Sequence, residues 1–460
     1  MTESSRRPVL IVLDDDPTGA QTVCGVEVFM EWAYASLIGA YRNLSGFFIL
    51  TNSRALAERE TVRLHREIAD VLCRCAKETG RKFLLCSRSD STLRGHFPAE
   101  TDALAETMAG YGIITDKVLL CPCFVEGGRV TIDGVHYVGA KDGRVPAAWT
   151  EFAKDPYFGY KSSDLVEYVQ EKTRGAVDRN KVVKLTLDAI RSGKSAEILK
   201  RPADVVVCDG ESDSDMGLFA SAVWDCAEAG QNFIVRCAAS IVRALFGQGK
   251  AELLDSERLI NAKGVGGLII AGSYTGKTTG QLNRLRECEV VFTTGQLNRL
   301  RECEVVFTTG QLNRLRECGA VWAELDVNAE LGAQINDCAS RCEEAVNCGK
   351  LAVLYTSRAA RRFENGEEAL EYSRKISVAL CEIVGKLDIN PRFLIAKGGA
   401  TSYDIGVKTL GTRRAEAIGQ ALEGAPVWNA TGKFAHTPYI IFPGNVGDEN
   451  SLLQLVNKLV

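Results

Sequence analysis

The sequence predicts an α/β protein of two domains, each with a mostly parallel sheet flanked by helices. Two observations carry that expectation. Apolar runs such as Val9–Leu13, Phe47–Leu50, Phe83–Cys86 and Val205–Val207 alternate with segments of helical periodicity, the pattern of parallel strands covered on both faces. The alternation fades over a polar, Gly-containing passage from Phe246 to Lys263 and restarts at Gly267. The expected limits are therefore 1–245, a linker at 246–263 and 264–460, in keeping with about 100–200 residues per domain.

The first half has a consistent habit. Val9–Leu13 empties into Asp14-Asp15-Asp16-Pro17-Thr18-Gly19-Ala20, Phe47–Leu50 into Thr51-Asn52-Ser53-Arg54, and Phe83–Cys86 into Ser87 to His96. Open α/β sheets bind ligands outside the carboxyl ends of their strands, so carboxylates, hydroxyls and guanidiniums gather there around a small, polyhydroxylated anion. Leu64, Ile68, Val71, Leu72 and Cys75 stand at helical spacing before Gly80, which predicts a helix from about Leu56 to Thr79. Pro98 is expected in the first turn of a helix through Leu104, and Val118–Leu120 as a further strand. Asp133-Gly134 between Val130–Ile132 and Val135–Val138 marks a hairpin. A helix from about Asp215 to Glu228 and a strand Phe233–Val235 complete the half.

The second half ends its runs differently. Gly267–Ala271 leads to Gly272-Ser273-Tyr274, Leu351–Tyr355 to Thr356-Ser357-Arg358, Phe393–Ala396 to Lys397-Gly398-Gly399-Ala400-Thr401, and Tyr439–Phe442 to Pro443-Gly444-Asn445-Val446-Gly447-Asp448. Glycines and hydroxyls let backbone N–H groups approach phosphate closely. The first half therefore suits a sugar acid and the second a nucleotide. Inside this half Thr278–Cys288 recurs from Thr293 and Thr308, joined by Glu-Val-Val-Phe. Such a run is too short for a solenoid. It reads as a tandem duplication over about 278–318, with either the first or the third copy holding the original helix position.

Several motifs admit a plainer reading. Gly276-Lys277-Thr278 fits a permissive P-loop, but alanine replaces the leading glycine and no magnesium-binding aspartate follows an apolar strand; a helix start capped by Thr278 or Thr279 explains it equally. His96 and His136 could be bases or packed structural residues. Three adjacent carboxylates, Asp14 to Asp16, require a partner cation: Arg88, Arg94 or magnesium. One of the three is also expected to cap a helix ahead of Pro17.

Lys plus Arg total 55 against 59 Asp plus Glu, a net charge of -4, which excludes a global basic field for nucleic acid or an anionic membrane. No signal peptide or membrane-spanning run is read, so a cytoplasmic protein is expected. Sixteen cysteines scattered through apolar runs suit a reduced interior, and no residues are assigned to a metal.

Asp15-Asp16-Pro17-Thr18-Gly19-Ala20, Arg88-Ser89-Asp90-Ser91-Thr92-Leu93-Arg94-Gly95, Gly272-Ser273-Tyr274 with Thr278–Leu282, and Lys397-Gly398-Gly399-Ala400-Thr401-Ser402 together resemble the four-carbon acid sugar kinases. The resemblance runs over nearly the whole chain outside the duplication. It implies an active site in the cleft between two α/β domains, and ATP- and Mg2+-dependent phosphorylation of a terminal hydroxyl on threonate, erythronate or 3-oxo-tetronate. By position, it implies Asp15, Asn52, Arg54, Arg88, Ser91 and Thr92 as acid-binding residues, with Asp16, Asp90 and Arg94 at the chemistry. Ser273, Gly398, Gly399, Ala400, Thr401 and Gly444 would contact ATP; Ala400 stands where many members carry an acidic residue. A small-molecule acid and ATP are the expected partners, with no nucleic acid or membrane, and a homodimer is allowed. A non-catalytic sugar-acid sensor and a P-loop ATPase using Lys277 are the alternatives.

Overall fold

The computed structural model describes residues 7–140, 143–273, 275–287, 320–358, 366–444 and 446–459, with no side chains described at 366–370. The second and third repeat copies, Tyr274 and Asn445 lie outside the described residues. The chain divides into two compact units, Met1–Ala251 and Glu252–Val460.

In the amino-terminal unit the strands are β1 (Val9–Asp14), β2 (Val26–Phe29), β3 (Gly46–Leu50), β4 (Phe83–Arg88), β5 (Lys117–Cys121), β6 (Arg129–Ile132), β7 (Val135–Ala140), β8 (Gly143–Pro146), β9 (Val182–Leu185), β10 (Val205–Cys208) and β11 (Phe233–Cys237). Strands β2-β3-β1-β4-β11-β5-β10-β9 form, in that order, a sheet whose neighbours are all parallel. β1 lies between β3 and β4, so the chain builds outward on one side of β1 and then crosses to the other. Such a switch point opens a crevice at the carboxyl end of the central strand. The Asp14–Asp16 run begins there.

Burial follows sequence pattern. β1, β3 and β4 are almost wholly buried, as strands covered on both faces must be. The helix Glu58–Thr79 lays Leu64, Ile68 and Leu72 against Ile11 and Phe47 and ends at Gly80, whose φ of 67° is the left-handed stop that glycine permits. On another part of the unit Leu120 and Val207 join Leu165, Tyr168 and Val169 of the helix Leu165–Thr173 in a second apolar cluster.

β6, β7 and β8 form a separate antiparallel sheet. The turn is the expected Asp133-Gly134, both at positive φ, 52° and 79°, as a two-residue hairpin turn requires. Pro98 corrects an expectation: it precedes the helix Ala99–Ala109 as its cap residue rather than lying in the first turn. β4 also runs two residues beyond its apolar stretch, so Ser87 and Arg88 are ladder residues paired to β1 and β11.

The carboxyl-terminal unit repeats the scheme. β12 (Gly267–Ala271) lies between β14 (Leu351–Thr356) and β15 (Leu394–Lys397), with β13 (Val321–Leu325) outside β14 and β18 (Pro438–Phe442) outside β15, all parallel. Gly272 and Ser273 follow the strand at this second switch point. β16 (Arg414–Leu422) and β17 (Ala425–Ala430) form an antiparallel hairpin added to β18, which the sequence analysis did not anticipate. The inward residues of β16 are largely Ala and Gly, a weak period-two signal. The helices Gly276–Glu287 and Ser451–Leu459 pack Leu282, Leu285, Leu455 and Val456 against Ile269 and Val353. The first repeat copy thus supplies this helix, as far as Glu287.

Candidate functional site

Four strand ends of the amino-terminal unit, those of β3, β1, β4 and β11, are stitched by backbone bonds: Thr51 N–H to Asp14 O (2.8 Å), Asp15 N–H to Arg88 O (3.2 Å) and Ser89 N–H to Cys237 O (2.8 Å). That stitching brings the polar residues into one network. Arg54 is its hub, with Nη2 at 2.9 Å from Asp15 Oδ1 and 3.3 Å from Asp16 Oδ2, and Nη1 at 3.7 Å from Asp90 Oδ1. Arg94 Nε donates to Asp90 Oδ2 at 2.7 Å, and the Thr92 and Ser89 hydroxyls donate to Asp90 and Asp15.

The cation opposite the acidic run is therefore corrected: Arg54, not Arg94, joins Asp15 to Asp16. Arg88 meets the run as expected, at Asp14 (3.2 Å) and Asp15 (4.0 Å), in the interior where all three side chains are nearly inaccessible. The expected carboxylate cap is not formed: the cap residue of the short turn Gly19–Thr22 is Thr18, and Asp16 Oδ1 instead accepts from Thr18 N–H (2.8 Å) and Thr18 Oγ1 (2.6 Å) just ahead of it. Asn52 at φ 49° and Leu93 at φ 68° hold left-handed conformations that cost non-glycine residues energy. Both sit where their strands give way to the site. Ser91 turns its carbonyl to His136 Nε2 (2.8 Å).

Electrostatics divide the carboxylates. Burial pushes Asp14 up to about 7 against the opposing Arg88 charge, and burial likewise raises Asp15 despite Arg54, Arg88 and Arg236. Burial also acts on Asp90 and Asp16, but there Arg54, with Arg94 for Asp90 and the Thr18 hydrogen bonds for Asp16, outweighs it and holds both below the usual carboxylate range. Asp16, Asp90, Arg54 and Arg94 retain 12–23% side-chain exposure, against 4% for Asp15. They form the accessible rim.

Both histidines are structural. His96 Nε2 lies 3.2 and 3.1 Å from the Ser53 and Leu56 carbonyls. His136 is held between Ser91 O and Thr131 Oγ1 (2.9 Å), and burial lowers it to about 4.

Two arginines escaped the sequence analysis. Arg236, at the end of β11, pairs with Glu100 at 2.9 Å in the interior behind the network. Arg129, the first residue of β6, feels Asp90 and Arg94 electrostatically, has no carboxylate within ion-pair distance among the described residues, and leaves its buried Nε without a protein acceptor. Burial lowers its pKa. The signal for Arg129 was a lone arginine between Gly127-Gly128 and an apolar strand.

In the carboxyl-terminal unit the expected nucleotide contacts converge on Ser273. Its Oγ lies 3.2 Å from Thr275 Oγ1 and 3.1 Å from Thr278 Oγ1, and Thr275 Oγ1 donates to Gly444 O at 2.9 Å. A Cβ on Gly398, at φ 111°, would stand 3.0 Å from Ser273 Cβ, and one on Gly444 would stand 2.7 Å from Ser273 Oγ. The φ at Gly398 strains any other residue there, and a side chain at Gly444 would have to displace the Ser273 hydroxyl. Gly272, Ser273, Gly398, Gly399, Ala400 and Thr401 line a cavity of about 270 Å3, completed by the apolar side chains Ile376, Leu380 and Ile405. The cap of the helix Gly276–Glu287 is corrected from Thr278 or Thr279 to Thr275, whose Oγ1 accepts from Thr278 N–H at 3.2 Å. Among the described residues no group of three or more His, Cys, Asp or Glu is arranged to hold a metal ion, and no helix is long and apolar enough to cross a membrane.

Two α/β units with a switch-point site each, one charged and one glycine-lined, define a two-domain ligand-binding class. Residues 10–245 match a family model described as a sugar-binding N-terminal domain, and residues 303–452 one described as a nucleotide-binding C-terminal domain. The chain belongs to the four-carbon acid sugar kinase family. The second match takes in the third repeat copy, whereas the first forms the helix. A curated D-threonate kinase of Bordetella bronchiseptica is 28% identical over 229 residues, 47% of this chain and 50% of that protein; the chain thus spans about half the length of this curated relative. Two crystal structures share the fold: a Haemophilus influenzae protein of the DUF1537 family (TM-score 0.61, 17% identity, 98% of this chain and 100% of that one) and a Salmonella typhimurium LT2 protein presented as a candidate tRNA synthase (TM-score 0.65, 14% identity, 98% of each).

Proposed function

We propose that this protein is an ATP-dependent kinase that phosphorylates the terminal hydroxyl of a four-carbon acid sugar, threonate, erythronate or 3-oxo-tetronate. The observation that carries the reading is the Arg54 hub, a partly exposed guanidinium shared by Asp15, Asp16 and Asp90 in the region matched to a sugar-binding domain. Carboxylates are recognised best by planar guanidiniums, and sugar hydroxyls by carboxylates that accept their protons. The network offers both. D-Threonate heads the list of substrates because of the Bordetella relative.

The residues divide the work. Arg54, Arg94 and Arg129 neutralise and orient the acid's carboxylate; Asp16, Asn52, Ser91 and Thr92 take its hydroxyls. Asp90 stays ionised because Arg54 and Arg94 hold its pKa down, which suits it to aligning the attacking hydroxyl. Asp15, raised by burial, is the more basic group and receives the proton through that alignment. Arg88 acts from behind by fixing Asp14.

ATP fits the carboxyl-terminal unit on two counts: Gly398 and Gly444 leave room at Ser273 that any Cβ would fill, and the apolar wall of Ile376, Leu380 and Ile405 suits a purine. When bound, ATP with Mg2+ supplies the transferable phosphoryl group and neutralises its developing charge. Magnesium would arrive with the phosphates; among the described residues no group of three or more His, Cys, Asp or Glu is arranged to hold it. The functional domains are proposed at 1–245 and 264–460.

The test is ADP release from ATP and magnesium across a panel of threonate, erythronate and 3-oxo-tetronate stereoisomers, with a no-acid blank. Acid-dependent ADP establishes the kinase and names its substrate. Equal ADP in every well points instead to an ATPase dependent on Lys277, and acid binding without ADP to a sensor.

A further inference from the structure

Lys397 is the last residue of β15, and its side chain is fully buried. Its Nζ donates to Pro443 O at 3.0 Å and stands 4.0 Å from the Phe442 ring centroid. No carboxylate of the described residues lies within ion-pair distance of it. The charged groups facing it are both cations: Lys277 in the first turn of the helix Gly276–Glu287, and Arg358 just after β14. The neighbouring strands β12 and β18 turn apolar side chains inward and offer it no charge. An ammonium carries three donors, and one carbonyl serves one of them. Burial, then Lys277 and Arg358, lower its pKa to about 7.

The position of this amine gives it a partner. Lys397 immediately precedes Gly398, and its acceptor Pro443 immediately precedes Gly444, so the amine bridges the roots of the two glycine turns that meet at Ser273. A polyphosphate on those turns would bring negative charge to an amine that has no carboxylate within ion-pair distance among the described residues. We propose that Lys397 is the proton-uptake residue of the nucleotide site: its buried amine, with no carboxylate partner among the described residues, is largely neutral in the free protein above neutral pH and becomes an ammonium, taking a proton from solvent, when the phosphates of a nucleotide dock on the Gly398 and Gly444 turns. This rests on the nucleotide reading above. It makes Lys397 a positioning residue whose charge appears only with its ligand, so the free site avoids burying a cation beside the charges of Lys277 and Arg358.

Calorimetric titration of MgATP into the full-length protein without acid substrate tests it. At about pH 8, in two buffers of different ionisation enthalpy, the wild type should take up roughly 0.5–0.9 proton per nucleotide bound, since a lysine near neutrality is then mostly neutral. Lys397→Met should bind more weakly with uptake near zero, whereas Lys277→Gln should keep most of the uptake. Equal heats in both buffers for the wild type overturn the proposal, as does undiminished uptake in Lys397→Met. Should that variant fail to fold, the wild-type Kd decides. It should rise by up to about tenfold per pH unit above neutrality, and a flat Kd from about pH 6.5 to 9 overturns the proposal. Saturable binding without proton exchange rejects only the role of Lys397; no saturable binding at all rejects the nucleotide assignment with it.

Discussion

Arg54 and Asp15 form a nearly buried ion pair, Nη2 to Oδ1 at 2.9 Å, and the same guanidinium reaches Asp16 and Asp90. Its charge is stabilised by the three carboxylates against a burial that opposes it. Removing it leaves three carboxylates facing one another. Arg54→Met should abolish measurable acid binding and destabilise the protein by about 3–5 kcal/mol, the usual cost of breaking a buried pair from one side. Arg54→Lys should recover stability better than binding, because an ammonium cannot span the three acceptors. Urea unfolding and acid titration check the two effects separately.

Asp90→Asn keeps the shape but removes the charge that Arg54 and Arg94 hold in place. Turnover should fall by about 10²–10⁴-fold, with nucleotide affinity nearly unchanged. Steady-state kinetics beside direct ATP binding tests this; unaltered kcat removes Asp90 from the chemistry.

Arg129 has an electrostatic partner in Asp90 but no ion pair among the described residues. Arg129→Met should raise KM for the acid by about 10–100-fold, lower kcat less, and leave stability within about 1 kcal/mol, since a charge held at a cost is being removed. A KM equal to wild type would place Arg129 outside the acid site.

Asp14 sets a pH dependence with a definite sign. Its native pKa of about 7 exceeds the ordinary 3.8, so between those values the folded state binds more protons than the unfolded one. Stability must then fall as pH rises through that window, in the sense opposite to a salt-bridged carboxylate of depressed pKa. Asp14→Asn should flatten this decline between about pH 5 and 8. Urea midpoints of the two proteins at both pH values measure it, and parallel curves would show that Asp14 is ionised throughout.

Gly398→Ala places a methyl group 3.0 Å from Ser273 Cβ at φ 111°. The strain of about 1–3 kcal/mol should weaken ATP binding by roughly tenfold or more while acid binding in the other unit stays intact. Parallel titrations with the two ligands would separate this local effect from general misfolding.

Much of the architecture was legible in the residues. Apolar runs ending in Asp14-Asp15-Asp16, Asn52-Ser53-Arg54 and Ser89-Asp90-Ser91 specify strands whose carboxyl ends carry the polar chemistry, because parallel strands buried on both faces must be continuously apolar. The Asp133-Gly134 turn was equally plain, since few dipeptides accept two positive φ angles. The hairpin of β16 and β17 was not, the inward Ala and Gly residues of β16 giving little hydrophobic contrast.

Partner choice belonged to the tertiary structure. Sequence alone named Arg88, Arg94 or magnesium for Asp14 to Asp16; Arg88 does pair there, but it is Arg54 that joins Asp15 to Asp16, because β3 adjoins β1 and its carboxyl end reaches the run. Likewise Lys397 read as one residue of a glycine turn until the packing of Phe442 and Pro443 enclosed its amine. Periodicity and turn chemistry are local properties, and a single chain writes them down. Which charge meets which, and how much water each keeps, depends on strand order, because only the order of the sheet decides which ends of the chain become neighbours.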